Sequence, residues 1–320
     1  MRILIFGGNG YIGQRVARRL LDDGHDVTGY VRSEQGAAAM QALGAAAIVG
    51  SVDDRVATRA ALETHDGAIW LAQLMLDEEK RIVGEFLKAL RNTGKLFVFT
   101  GGASVLSEPT TGNWSDRSFA ETDAFVPRRE LAIRVETEYG VRIAAQSGVR
   151  AIVVRPPLVY GHGGCKVISD LYHSARKTGA VCYVGRGLNA YSSVHVDDLA
   201  HLFSLVLARG SAGALYHCVA AEASFRSMAE TIARHLGTGT RSLTVEEAQE
   251  VWDRFGGTTV FSSCSRVRSP VARAELGWAP LPERSDIYEE CLHPAYGAEA
   301  DRTPAFWIKP TDASGAPAVR

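Results

Sequence analysis

The chain has 320 residues, room for about two folding units and for burying roughly three quarters of its unfolded surface. Its composition, 46% hydrophobic and 22% charged, excludes a disordered, collagenous or coiled-coil chain. With 35 Lys and Arg against 36 Asp and Glu, the net charge of −1 provides no overall field to gather nucleic acid or an anionic membrane, so neither is expected as a partner.

Only four apolar residues, 3–6, follow Arg2 before glycines begin, too few for a signal-peptide core. No run reaches the ~18 apolar residues of a membrane span. Cys165, Cys182, Cys218, Cys264 and Cys291 are odd in number and widely spaced, which predicts neither a disulfide frame nor a zinc site. A soluble protein of the reducing cytoplasm is expected.

In chain order, short β-rich runs at 2–6, 26–31, 46–49, 67–71, 95–99 and 150–155 alternate with helix-length stretches near 11–23, 35–43, 55–63, 78–93 and 127–147. The fourth of these helices puts Ile82, Val83, Phe86, Leu87 and Leu90 on one face. Parallel neighbours need right-handed crossovers, so the alternation predicts a doubly wound α/β fold, a parallel sheet covered by helices on both faces. Beyond Gly161 come a helix at 166–178, short strands, and a strand at 191–196 that is expected to rejoin the main sheet. The helix that follows, 197–209, begins with Asp197 and Asp198, which suit a positive helix N-terminus. These elements divide the chain into a dinucleotide-binding domain (1–161 and 189–215), a small substrate lobe (162–188 and 216–296) and a C-terminal extension (297–320) that Phe306 and Trp307 would anchor.

Directly after the first strand stand Gly7, Gly8, Asn9, Gly10, Tyr11, Ile12 and Gly13, opening an amphipathic helix. Glycines at 7, 10 and 13 fit a phosphate-binding turn: one for the tight turn, one for close approach of backbone to a pyrophosphate, one for helix–strand packing. The helix N-terminus then offers free N–H groups to the anion. At the end of the second strand, where an NAD site commonly has a carboxylate on the ribose, the chain has Arg32 and Ser33. A planar guanidinium and a hydroxyl suit a 2′-phosphate, so NADP(H) is the expected cofactor. Val52 and Asp53 are expected along the adenine, Asp53 with a helix-capping role as the alternative. Leu71, Ala72 and Gln73 follow the fourth strand at its carboxyl end, where ligands bind such sheets.

Together with Arg155-Pro-Pro-Leu-Val-Tyr-Gly161, Val194-His-Val-Asp-Asp-Leu-Ala200 and Leu276-Gly-Trp-Ala-Pro280, these motifs resemble the extended short-chain dehydrogenases/reductases over about residues 1–292. The resemblance implies a Rossmann domain with a small C-terminal substrate lobe and a nicotinamide beside Pro156, Pro157 and Leu158, with Thr100 also at the cofactor. It also implies a catalytic Ser or Thr and a Tyr-x-x-x-Lys. Here the chain departs from the family, because Gly102 stands at the serine position, Arg128 at the tyrosine and Ala132 at the lysine.

An NADP(H)-dependent reductase with unusual proton delivery and a non-catalytic dinucleotide sensor are the two classes left open. The second lobe, with material for a concave pocket, favours the enzyme. Ser104, Tyr160 and His162 are the candidate donors or orienters, while Leu74, Met75, Trp114 and Tyr191 are candidate lining. Arg128 cannot release a proton and is expected to be a solvated residue at a helix start, with stabilisation of developing negative charge as the alternative if it faces the site. His195 is expected to be structural. A ketone flanked by its own phenolic hydroxyl, as in quinone-like polycyclic substrates, needs no protein acid, and on this point the chain is similar to the triad-lacking ketoreductases of aromatic polyketide antibiotic pathways, the simocyclinone type. The expected partner is a small-molecule ketone. A nucleotide-sugar epimerase or dehydratase is the alternative enzyme, weakened by the missing Tyr and Lys. Since the helices at 78–93 and 127–147 pair subunits in many of these relatives, the resemblance implies a monomer or a homodimer.

Overall fold

A computed structural model describes residues 1–297. The strands are β1 (Arg2–Phe6), β2 (Asp26–Val31), β3 (Ala46–Val49), β4 (Gly67–Trp70), β5 (Leu96–Thr100), β6 (Glu108–Pro109) and β7 (Arg150–Arg155). They continue as β8 (Leu158–Tyr160), β9 (Ala180–Val184), β10 (Ala190–His195), β11 (Leu215–His217), β12 (Ala221–Ser224), β13 (Gly239–Leu243) and β14 (Ser263–Cys264). Between them run α1 (Tyr11–Asp22), α2 (Glu34–Ala42), α3 (Arg55–Thr64), α4 (Leu76–Leu90), α5 (Ala132–Ile143) and α6 (Lys166–Thr178). The second half adds α7 (Val196–Arg209), α8 (Phe225–Leu236), α9 (Val245–Phe255), α10 (Pro270–Leu276) and α11 (Ile287–Glu290).

The main sheet has seven parallel strands in the order β3-β2-β1-β4-β5-β7-β11. Its doubly wound form can be read in β1 alone, where successive side chains point to opposite faces. Ile3 and Ile5 pack with Val16 and Leu20 of α1, Phe203 of α7 and Trp278, whereas Leu4 and Phe6 pack with Trp70, Phe97, Phe99 and Phe86 of α4. The chain winds outward from β1 to β3, then crosses back to β4. A crevice therefore opens at the carboxyl ends of β1 and β4, where such sheets bind ligands.

One expectation fails. The strand at 191–196 does not rejoin the main sheet: β10 pairs in parallel with β8 and antiparallel with β12, and β11 supplies the edge of the main sheet instead. The reason lies in its two ends. Tyr191 packs edge-on against Phe225 in the core of the lobe, while Val194 joins the core of the cofactor domain, so β10 stitches the two together. Its helix α7 does return, packing against α1. In the lobe, Trp252 stacks on Phe261 with ring centroids 3.8 Å apart. Among the described residues no helix is long and apolar enough to cross a membrane. Phe306, Trp307 and nearly all of the proposed C-terminal extension lie outside the described residues.

Candidate functional site

The glycine turn is built as its spacing demands. Gly7 has φ +81°, and a Cβ there would sit 2.7 Å from the carbonyl carbon of Leu71. A Cβ on Gly13 would lie 2.2 Å from the Gly7 oxygen, and one on Gly10 3.2 Å from it, so helix and turn touch backbone to backbone. Gly10 caps α1 without a side-chain acceptor, which leaves the first-turn N–H groups of Tyr11, Ile12 and Gly13 for a ligand. Ile12 packs against the core, and the Tyr11 hydroxyl donates to the Gly161 carbonyl over 2.8 Å. Burial holds the Tyr11 phenol well above its ordinary pKa.

Arg32 is exposed and makes no ion pair among the described residues. Ser33 caps α2, its oxygen accepting from the Gly36 N–H, so its own proton is still free to be donated. Capping of α3 falls to Asp54, and Asp53 instead pairs with Arg81, which sets the capping alternative for Asp53 aside. Val52 packs at the edge of the core; Leu71 and Ala72 line the turn, and Gln73 is exposed beside them. At the carboxyl end of β5 the Thr100 hydroxyl oxygen is buried without a partner among the described residues. An orphaned hydroxyl at the carboxyl end of a central strand fits a dinucleotide, whose ribose can supply the missing bond.

The segment after β5 brings together the corner where the sequence places the candidate catalytic residues. The Ala103 N–H donates to the Pro156 carbonyl, and the Ser265 hydroxyl donates to the Ala103 carbonyl over 3.2 Å. A Cβ on Gly102 would stand 3.6 Å from the exposed Ser104 hydroxyl, so Ser104 sits beside the position where relatives carry a catalytic serine. Arg128 overturns its expectation. Its side chain is only 16% exposed, Nη1 donates to the Ser263 hydroxyl over 2.8 Å, and Nη2 lies 2.7 Å from Glu130. The Arg128 charge partly offsets the burial that pushes the Tyr191 phenol up. Ala132 is the first residue of α5.

Tyr160 and His162 form a separate group. The Tyr160 hydroxyl donates to the Ser285 carbonyl over 3.1 Å, and burial with nearby carboxylates pushes its pKa up to about 12. His162 Nε2 lies 2.9 Å from Asp197 Oδ2, and the two histidine rings of 162 and 195 meet edge-on. The His195 Nδ1 accepts from the Asp197 N–H and caps α7. Among the expected lining, Tyr191 is a core residue and Trp114 lies half exposed under the Arg266 guanidinium.

Beneath this corner lies a buried network that sequence reasoning missed. The Arg155 guanidinium is bound by the Glu138 carboxylate, with both side chains almost fully buried. Arg155 also donates to His217 Nε2 over 3.4 Å, and His217 Nδ1–H donates to the Arg268 carbonyl. A signal was present, since a charged residue ending a strand as apolar as β7 needs a buried partner.

Burial and the neighbouring Arg155 hold the His217 pKa down at about 3. Unfolded histidine titrates near 6.5, so the unfolded chain binds this proton more tightly. The stabilising contribution of neutral His217 is complete above about pH 6.5 and is lost as pH falls toward 3. Urea midpoints at pH 7, 5 and 4 should fall steeply in the wild type and less in His217→Asn. Equal slopes in the two proteins would remove His217 from the account.

The profile of the "NAD dependent epimerase/dehydratase family" matches residues 3–220. An uncharacterized protein of Schizosaccharomyces pombe is 31% identical over 291 residues, covering 88% of this chain and 95% of that protein. The 4-hydroxy-2-methyl-3-oxo-4-farnesyl-3,4-dihydroquinoline-1-oxide ketoreductase of Stigmatella aurantiaca is 26% identical over 230 residues, 68% of this chain and 67% of that one. Among solved structures, the dTDP-glucose 4,6-dehydratase DesIV of Streptomyces venezuelae, with NAD bound, superposes with a TM-score of 0.72 at 19% identity, over 92% of this chain and 96% of that one.

Proposed function

The chain belongs to the NAD dependent epimerase/dehydratase family, and from that premise we propose that it is an NADPH-dependent ketoreductase of a bulky, fused-ring ketone whose own hydroxyl delivers the proton. The observation that carries this reading is the make-up of the catalytic corner: Gly102, Arg128 and Ala132 contain no proton donor. The Stigmatella relative supports reduction of a fused-ring ketone, since the name of that enzyme sets a 3-oxo group on a dihydroquinoline. Likeness to a dTDP-glucose dehydratase is a likeness of fold and gives the nucleotide-sugar alternative no residue that could act as its acid or base.

A bound nicotinamide dinucleotide supplies the hydride equivalent for such a reduction. The turn at Gly7, Gly10 and Gly13, with the α1 N-terminus, would hold its pyrophosphate, and Arg32 and Ser33 its 2′-phosphate. Thr100 would bond the ribose, while Pro156, Pro157 and Leu158 would wall the nicotinamide. Ser104 would orient the substrate oxygen, and the fixed charge of Arg128 would favour the negative charge that gathers there. Tyr160, whose hydroxyl bonds to the Ser285 carbonyl, and His162, whose Nε2 meets Asp197, are given no proton to carry.

Incubation with NADPH and a panel of fused-ring ketones, with mass spectrometry for a gain of two hydrogens, tests the activity. A dinucleotide-dependent complex with another protein, alongside no turnover, would favour the sensor instead. Cofactor choice is tested separately. Arg32→Ala should weaken NADPH binding by about 10–100-fold, the worth of a charged hydrogen bond, and leave NADH unchanged in calorimetry. Equal wild-type affinities for the two dinucleotides would refute the assignment.

A further inference from the structure

We propose that His162, His195 and Asp197 form a binding site for a borderline divalent metal ion of the Zn²⁺ or Co²⁺ class, at the junction of the cofactor domain and the substrate lobe. The spacing of these residues in sequence carries no metal signature. Folding brings one from the β8–α6 loop and two from the start of α7, with their ligand atoms all within 4.8 Å of one another. Asp197 Oδ2 lies 2.9 Å from His162 Nε2 and 3.8 Å from His195 Nδ1. Ligands held at about 2.1 Å around a tetrahedral ion stand about 3.4 Å apart, so the observed distances bracket the required spacing.

The chemistry of the donors selects the ion. Two imidazoles and one carboxylate suit zinc and its neighbours, whereas calcium and magnesium want oxygen alone. The His195 Nδ1 lone pair, now accepting the 3.2 Å bond from the Asp197 N–H, is the atom the ion would take. At His162 the ion would take the Nε2 lone pair in place of the hydrogen bond to Asp197, with the ring proton carried on Nδ1.

Two features of the surroundings favour occupancy. His162 is held at φ +54°, between Gly161 at +122° and Gly163 at +75°, a left-handed conformation that a non-glycine residue rarely adopts, and its ring meets Asp197. The competing cation is Arg284, whose Nη1 is 3.6 Å from Asp197 Oδ2 and whose Nε is 3.3 Å from Asp198 Oδ1. Asp198 is buried, and its Oδ2 has no partner among the described residues. A divalent ion on Asp197 would free Arg284 to satisfy Asp198 in full, so the charges rebalance. The remaining ligand positions face water, since His162 is 41% and Asp197 25% exposed. The ion would staple the loop at 161–164 to the β10–α7 junction, next to the Gly161 carbonyl that receives the Tyr11 hydroxyl.

The test uses the full chain freed of metal with a chelator. Co²⁺ is followed by its visible spectrum and Zn²⁺ by calorimetry, in wild type, His162→Gly and Asp197→Asn. Glycine adopts the φ of position 162 without strain, so that variant keeps the loop and loses only the ligand. The expected result is one ion per chain, a low-symmetry Co²⁺ absorption, and a Zn²⁺-dependent rise in melting temperature. Both variants should bind at least about 100-fold more weakly, because removing even a group behind a metal ligand costs about 10–100-fold. Unchanged affinity in His162→Gly would put the ion elsewhere and overturn the proposal, as would a wild type that binds neither ion.

Discussion

Gly13→Ala should abolish measurable dinucleotide binding in a protein that still folds. The added methyl would lie 2.2 Å from the Gly7 oxygen and 2.8 Å from Gly8 Cα, all of it backbone that can yield only by opening the turn. Relief of such a contact takes a shift of about 1 Å, enough to spoil a site whose N–H groups must converge on one phosphate. Overpacking of this kind costs about 1–3 kcal/mol of stability, within the reserve of a typical domain. Dinucleotide affinity should fall by at least about 100-fold in calorimetry, the worth of losing two or more charge-assisted bonds. Gly84→Ala is the control: a Cβ at this position of α4 meets nothing within 4 Å, so it should stabilise by about 1 kcal/mol and leave binding alone. Normal NADPH affinity in Gly13→Ala would mean that the dinucleotide does not lie on this turn.

The largest loss of stability is expected from Glu138→Ala. That change strands the Arg155 guanidinium, 5% exposed, with His217 and the face of Phe125 as its remaining company. Breaking one side of a buried ion pair costs about 3–5 kcal/mol, a large share of a typical folding free energy. Replacing both partners by apolar residues removes the uncompensated charge, so Glu138→Leu with Arg155→Met should recover most of the loss. Gly101→Ala attacks the same pair from outside, since its Cβ would stand 2.1 Å from Glu138 Oε1. Urea unfolding of the three variants checks this order. A loss under about 1 kcal/mol in Glu138→Ala would show that Arg155 finds water or another partner, and the buried network would have to be redrawn.

What could be read from the sequence was local. The glycine turn is legible because its residues are neighbours and each is needed for a backbone contact, and the first six strands announce themselves by short apolar runs between amphipathic helices. The fate of β10 was not legible. Ser192 and Ser193 are wholly buried with their hydroxyls bonded across to Val267 and Ala221, and nothing local in Tyr-Ser-Ser-Val-His says which strand will pair with it. Its replacement at the sheet edge, β11, is only three residues long and too short to show a period. Arg128 failed for the same reason at longer range, because the hydroxyl that draws it inward belongs to Ser263, 135 positions later. Glu138, Arg155 and His217 come from three separate elements, and only the fold makes them one network.

The claim at the centre of this account is that reduction proceeds without a protein acid. Single-turnover reduction by 4-deuterated NADPH tests it most directly, comparing a fused-ring ketone that bears an adjacent hydroxyl with the methyl ether of that hydroxyl, in wild type and Ser104→Ala. The account predicts deuterium at the new carbinol carbon, a loss of about 10²–10⁴ in rate when the hydroxyl is masked, and a loss below about tenfold in Ser104→Ala. A methyl ether reduced at the normal rate, with Ser104→Ala as impaired as an enzyme that has lost its general acid, would contradict it.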